Sequence, residues 1–334
     1  MGERLIEEYR GGSLENIHFG HICGVDESGS VVYRTGDPEW VTFMRSAAKP
    51  FQAVPAFAHR VDERYGLSDR EKTIMMASHR AEPEHVEALE SMKRKIGVDE
   101  EDLACGSTYP LSGQARDALL LANKPKRKLY HNCSGKHLGV MALCKGMGYP
   151  IQGYDGPGHP AQQEILKTVA YLTGCPEEQV RVGIDGCGFP VFGLSLRHMA
   201  VGYMKLACPD LIDREDVRQA AVTITRLMNE YPDMISAPWF ICSQFLRDPN
   251  IVAKGGAKGV YCFGLKKERL AFALKVLDGS EEEWPLIIAS ILEQIGYDNR
   301  ETIDRLYRLT PTEIKNDGQT IVGENKAVFK LKKV

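Results

Sequence analysis

Charge of one sign is what the sequence most plainly lacks. Its 42 Lys and Arg stand against 45 Asp and Glu, a formal net charge of −3 over 334 residues, so no polyanion partner is expected. The densest basic cluster, Lys124-Pro125-Lys126-Arg127-Lys128, reads as a solvated loop rather than a nucleic-acid patch. Long apolar runs are missing too. The longest, around 285–291, falls far short of the roughly 20 residues a membrane helix needs, and residues 1–9 are acidic where a leader would be apolar. The expectation is a cytoplasmic chain with no membrane and no nucleic-acid partner. Nine cysteines lie at 23, 105, 133, 144, 175, 187, 208, 242 and 262 with no C-x-x-C pair, the pattern of free thiols in a reducing compartment. A Gly-x-Gly-x-x-Gly turn and regular strand–helix alternation are also absent, which argues against a Rossmann-type parallel sheet.

What is present is globular: 43% hydrophobic and 26% charged residues leave no stretch that composition marks as disordered. Residues 17–35 read as two strands around an Asp26–Gly29 turn. An apolar helix is expected from about 46 to 59, starting near Ser46–Lys49 because Pro50 has no N–H and fits only the first turn. Further helices are expected at 83–95, 138–144, 160–173, 193–206, 214–230 and 285–296. Strands are expected at 179–184, 260–265, 270–277 and 319–331. Strands at both ends around a helix-rich middle imply an α/β fold of the α+β type: a mixed, mainly antiparallel sheet from both chain ends, flanked by helices, with an inserted helical subdomain. The sheet part spans about 1–82 and 247–334 and the helical part about 83–246, all in one domain.

Three stretches concentrate reactive side chains. Ser46 and Lys49 are three residues apart, so in a helix they share a face, although this spacing alone is no better than chance. Serine becomes a nucleophile when a base takes its proton, and lysine is a base only when neutral. Holding it half neutral at pH 7 costs roughly 4.6 kcal/mol from its ordinary value. Burial supplies part of that, and a second cation such as Lys254, in Lys254-Gly255-Gly256, supplies more. The second stretch, His131-Asn132-Cys133-Ser134-Gly135-Lys136-His137, and the third, Asp185-Gly186-Cys187-Gly188, raise a zinc question, since thiolates are good zinc ligands. The usual paired-cysteine signature is missing, and buried free cysteines are the plain alternative. His131, His137 and Asp185 stand as ligands, supporting groups or ordinary polar residues. The histidines at 18, 21, 59, 85, 159 and 198 have no such company in sequence.

Taken together, Met44-Arg-Ser-Ala-Ala-Lys-Pro50, Ala77-Ser-His-Arg-Ala-Glu82, the 131–137 stretch, Gly183-Ile-Asp-Gly-Cys-Gly188 and Lys254-Gly-Gly-Ala257 resemble the Rhizobium-type (class 3) L-asparaginases, the asparaginase II family, over essentially the whole chain. The resemblance implies a fold like that of the serine β-lactamases and glutaminases, and a homodimer acting on L-asparagine. It implies Ser46 as nucleophile with Lys49 as its base, Ser78 and Lys254 as a second Ser-Lys pair, and Arg45, His79 and Asn132 near the substrate. Cys133, Lys136 and Cys187 are implied as Zn2+ ligands, with Asp185 behind them. A penicillin-recognising Ser-Lys hydrolase and a non-catalytic amide sensor are the alternatives on the same fold.

Overall fold

In the computed structural model, which describes residues 2–334, both ends of the chain are drawn into one antiparallel sheet. The fold is mixed α/β, as expected from strands at both termini. The described residues divide into two compact units, one of residues 2–47, 194–208 and 239–334, the other of 48–193 and 209–238. The seams expected from sequence lay at 82 and 247. The observed ones differ because the helix Lys49–Ala58 packs among helices, while the helix Leu196–Ala207 packs on the sheet.

In the first unit the sheet runs, edge to edge, through Glu313–Lys315, Ile321–Ala327, Glu3–Arg10, Ser13–Asp26, Leu270–Val276, Val260–Leu265 and Ile251–Gly255. Val31–Thr35 pairs with the second half of Ser13–Asp26 and with Lys332–Lys333. The expected hairpin turns at Asp26, whose carboxylate accepts from the backbone N–H groups of Ser28 and Ser30 at 2.9 and 3.1 Å. Strand periodicity puts Gly264 on the face covered by the helix Leu196–Ala207, where a Cβ would meet the Tyr203 carbonyl oxygen at 2.6 Å. Tyr261 points to the other face and packs edge-on against Trp284 at 5.2 Å, at the start of the helix Trp284–Ile295. The sheet is thus buried on both faces along Val260–Leu265. Strand Glu3–Arg10, which was not expected from the sequence, lies between two neighbours and fully buries Leu5 and Ile6.

The second unit is helical. Its centre is Lys49–Ala58, with every residue from Lys49 to Phe57 buried; burying Phe51 alone is worth roughly 1.5–3 kcal/mol. Helices Ser134–Met147, Pro160–Thr173 and Glu215–Glu230 pack around it, and Pro83–Ile96 lies against Ser134–Met147. A small hairpin joins Arg181–Ile184 to the strand that begins at Pro190. Expected helix limits hold within a residue or two where caps mark them, as at Pro160–Thr173, opened by His159 and closed by left-handed Gly174. One difference matters for the chemistry. Residues Arg45–Ala48 wind as a 3-10 turn, and α-helical bonding begins only at Lys49, where Pro50 sets the start.

Candidate functional site

Lys49 organises the site in the helical unit. Its side chain is 1% exposed, and its Nζ has three oxygen neighbours: Ala77 O at 2.5 Å, Asn132 O at 3.0 Å and Ser78 Oγ at 3.1 Å. Two carbonyls can only accept, so they hold two N–H bonds of the amine. The remaining direction of the nitrogen faces the Ser78 hydroxyl. Burial pushes the Lys49 amine below its ordinary value; Cys133 opposes that shift and Lys136 adds to it. The expected neighbouring cation was Lys254; the one acting on Lys49 within this unit is Lys136.

Several bonds hold the Ser78 segment in place. Ser78 N–H donates to Ile235 O at 2.8 Å, and its carbonyl accepts from Arg80 Nη1 at 3.0 Å. His79 is fully buried and its tautomer follows from its partners. Ser134 Oγ donates to Leu129 O at 2.9 Å, so it must accept from His79 Nε2–H at 2.9 Å. Nδ1 is then free to accept from Ala81 N–H at 3.2 Å. Burial holds the ring neutral, well below its ordinary value, with His85 and Lys49 adding to that. Ala81 has a left-handed φ of 55°, a strained backbone for a residue with a Cβ.

The stretch 131–137 reaches this point because Gly135 lies so close to the Ile74 carbonyl that any Cβ would collide with it. Cys133 sits at the N-cap of the helix Ser134–Met147, where the helix dipole favours an anion. A hydrogen bond from Cys187 holds the Cys133 thiol well below the usual thiol range, with Lys49 and Lys136 contributing. The same bond pushes the Cys187 thiol up. Lys136 Nζ donates to Cys187 Sγ at 3.1 Å and lies 4.3 Å from the centre of the Phe189 ring. Burial works against its charge, but Cys133 and Cys187 outweigh it and raise its pKa. Cys133, Lys136 and Cys187 therefore meet, all three buried, although Lys136 and Cys187 stand 51 residues apart in sequence. Asp185 stands at the turn before Cys187, half-buried, its carboxylate accepting from Gly186 N–H at 2.7 Å, and its charge bears on Lys136.

Sequence reasoning missed Tyr154 and Phe189. Tyr154 OH accepts from Ala104 N–H at 3.0 Å and donates to His137 Nδ1 at 2.7 Å, and Phe189 lies 4.0 Å from the His137 ring. Nothing in their spacing signals this. His137 Nε2 is buried with no hydrogen-bond partner.

Ser46, Arg45 and Lys254 belong to the sheet unit. Arg45 takes a left-handed φ of 51° just before Ser46. Lys254 is 1% exposed on the last strand of the sheet, Ile251–Gly255, with Nζ 2.8 Å from Gly255 O. A Cβ on Gly256 would lie 2.6 Å from the Met44 carbonyl oxygen. The Lys254-Gly-Gly turn therefore presses on the segment that leads into Ser46.

A family described as L-asparaginase II matches residues 6–327. No curated protein sequence matches the chain. Among solved structures, a β-lactamase from Mycobacterium bovis aligns with 15% identity over 82% of this chain and 94% of its own, with a TM-score of 0.42. A Bacillus glutaminase aligns with 12% identity over 83% and 91%, with a TM-score of 0.39.

Proposed function

Because the chain belongs to the L-asparaginase II family, we propose that it hydrolyses the side-chain amide of L-asparagine, releasing L-aspartate and ammonia through a seryl ester. The observation that carries this reading is Lys49: a buried amine, held toward its neutral form, with two N–H bonds on carbonyls and its remaining direction on the Ser78 hydroxyl. In the neutral amine that direction holds the lone pair. Lys49 Nζ takes the serine proton as Oγ bonds to the carboxamide carbon. The C–N bond then breaks, the proton passes to the leaving nitrogen, and water cleaves the ester by the reverse relay.

The family resemblance makes Ser46 the nucleophile and Lys49 its base, which requires the Lys49 lone pair to leave Ser78 for Ser46, and Ser78 with Lys254 then moves the proton to the leaving group. Arg45 and Asn132 contact the substrate. His79, with both nitrogens committed, acts as a positioning residue for the Ser78 loop. The hydrogen bond between Lys49 and Ser78 favours one second reading, in which Ser78 is itself acylated. Mass spectrometry of the enzyme quenched during turnover separates the two: the ester appears on the peptide carrying Ser46, and Ser46→Ala abolishes it. An ester on Ser78 that survives Ser46→Ala reverses the assignment. Ammonia release from asparagine and glutamine, beside a β-lactam assay, tests the substrate class; cleavage of the β-lactam alone overturns the asparaginase reading. Binding of asparagine without ammonia release favours a sensor.

Two thiols and an amine, all buried and already hydrogen-bonded to one another, are a donor set that fits Zn2+. Cys133, Lys136 and Cys187 would hold it, with Asp185 behind Lys136. Zinc would supply a Lewis acid that orients the substrate's amino or carboxylate group. To hold it, Lys136 and Cys187 would have to be without their protons. Metal analysis of the purified protein, with and without Cys133→Ser, tests this. A homodimer in the cytoplasm completes the reading, checked by light scattering and cell fractionation; among the described residues no helix is long and apolar enough to cross a membrane.

A further inference from the structure

His18 had no company in sequence, yet in the sheet unit it is ringed by carboxylates from three distant segments. Its Nδ1 lies 2.6 Å from Asp278 Oδ2, and its Nε2 lies 3.2 Å from Glu8 Oε1 and 3.4 Å from Glu283 Oε1. Strand register explains part of this: Glu8 pairs with Asn16, and Ile6 with His18, so Glu8 and His18 share a face. Glu283 comes from the residue that opens the helix Trp284–Ile295.

The hydrogen bonds define which ring nitrogen is open. Asp278 accepts from Nδ1–H, and its other oxygen accepts from Ser280 N–H at 2.8 Å. Asn16 Nδ2 lies 3.1 Å from Nε2 and donates to it. The same Nε2 also faces two carboxylate oxygens, and an ion bound at its lone pair would replace the Asn16 bond. With Nδ1 carrying the proton, the His ring offers neither glutamate an N–H, and the Asn16 amide is placed on Nε2, an arrangement in which the two carboxylates call for a cation. A second observation points the same way. Glu283 is 6% exposed and its Oε2 is buried with no hydrogen-bond partner, although a buried carboxylate oxygen ordinarily has one. Lys275, whose charge interacts with Asp278, does not fill the place: its Nζ donates to the carbonyls of Lys258 and Val276.

We propose that Glu8, His18 and Glu283 form a metal site for a divalent first-row ion such as Zn2+, bound through His18 Nε2 and an oxygen of each glutamate. The three candidate ligand atoms lie within 4.8 Å of one another. One imidazole and two carboxylates suit a borderline ion. The Asp278 carboxylate on Nδ1 is the outer partner that metal-binding histidines use to fix their tautomer. The ion would pin the strands Glu3–Arg10 and Ser13–Asp26 to the start of the helix Trp284–Ile295. Its role is structural, independent of the thiol cluster and of the amide chemistry.

The test uses the full chain, stripped with a chelator and titrated with Co2+ and then Zn2+. With Cys133→Ser and Cys187→Ser in place, one equivalent of Co2+ still binds, without the charge-transfer band that thiolate ligands give, and raises the melting temperature. Adding His18→Ala or Glu283→Gln removes that equivalent. Glu8→Gln, at a more exposed position that does not threaten folding, weakens it by at least about tenfold, and Asp278→Asn by about 10–100-fold. No Co2+ uptake by the double cysteine variant overturns the proposal, as does unchanged affinity in Glu8→Gln and Asp278→Asn.

Discussion

Two buried polar clusters sit in this chain, and their charges are opposite. In the helical unit, two lysine amines share a pocket with one thiolate-forming pair and histidines that burial keeps neutral. In the sheet unit, three carboxylates surround one imidazole. An unbalanced charge away from water is costly, so each cluster relaxes toward neutrality by its own route. In the cation-rich cluster burial drives the Lys49 amine toward its neutral form. The anion-rich cluster takes up a cation, a proton or a metal ion. Burial and Glu283 act on His18 in opposite senses, and the carboxylates win, raising its pKa. Helix ends and carbonyls frame the first cluster, so backbone groups absorb much of its polarity. On the sheet the backbone is spent on the ladder, and side chains must balance one another.

The largest effect should come from removing the base in the cation-rich cluster. Lys49→Met is expected to lower kcat/KM by about a thousandfold or more, in the range seen for a lost general base. It leaves Ala77 O and Asn132 O without their donor, at a cost of about 1–3 kcal/mol of stability. Lys49→Arg should be as inactive, because a guanidinium does not lose its proton. Steady-state ammonia assays beside urea denaturation check both. A Lys49→Met enzyme with more than about a tenth of normal activity would break the contrast drawn between the clusters.

The outer carboxylates offer a finer comparison. Asp278 bonds directly to His18 Nδ1, whereas Asp185 acts on Lys136 through space while bonding to Gly186 N–H. Asp185→Asn is therefore expected to weaken Zn2+ at the thiol cluster by less than the roughly 10–100-fold expected of Asp278→Asn at its own site. Parallel titrations of the two variants measure the difference. An equal loss at both sites would show that distance from the ligand does not matter.

Legibility in the sequence followed the same divide. Lys49, Cys133, Lys136 and Cys187, which the fold buries, could be picked out only from several motifs taken together, since the Ser46–Lys49 spacing alone is at chance level. Helices closed by Gly97, Gly174 and Gly296 could be bounded because a left-handed cap needs that residue. The 3-10 turn at Arg45–Ala48 could not, since apolar spacing does not distinguish it from the helix it leads into. Nor could the Ala77 and Asn132 carbonyls, because every residue has one and only the fold selects which are used. His18 was passed over because its partners stand 10, 260 and 265 residues away. Sheet register and a loop bring them together, and neither leaves a mark near His18.

Glu71 is the control for the comparison, a buried carboxylate whose cation is already supplied. It accepts from Lys95 Nζ at 2.7 Å and from Ser68 N–H at 2.6 Å, closing a capping box on the helix Asp69–Ile74. Burial alone would raise its pKa, but Lys95 and the Ser68 bonds outweigh that and lower it. A carboxylate with a lowered folded-state pKa adds stability above its unfolded value, near 4.5, and loses it as the pH falls through the folded value. Glu71→Gln should cost about 1–2 kcal/mol at pH 7, discounted for the half-exposed Lys95. The gap from the unmodified protein should shrink as the pH drops below about 4. Urea midpoints at a series of pH values measure it, and a gap that stays constant to pH 3 would mean that shape, not charge, holds Glu71 in place.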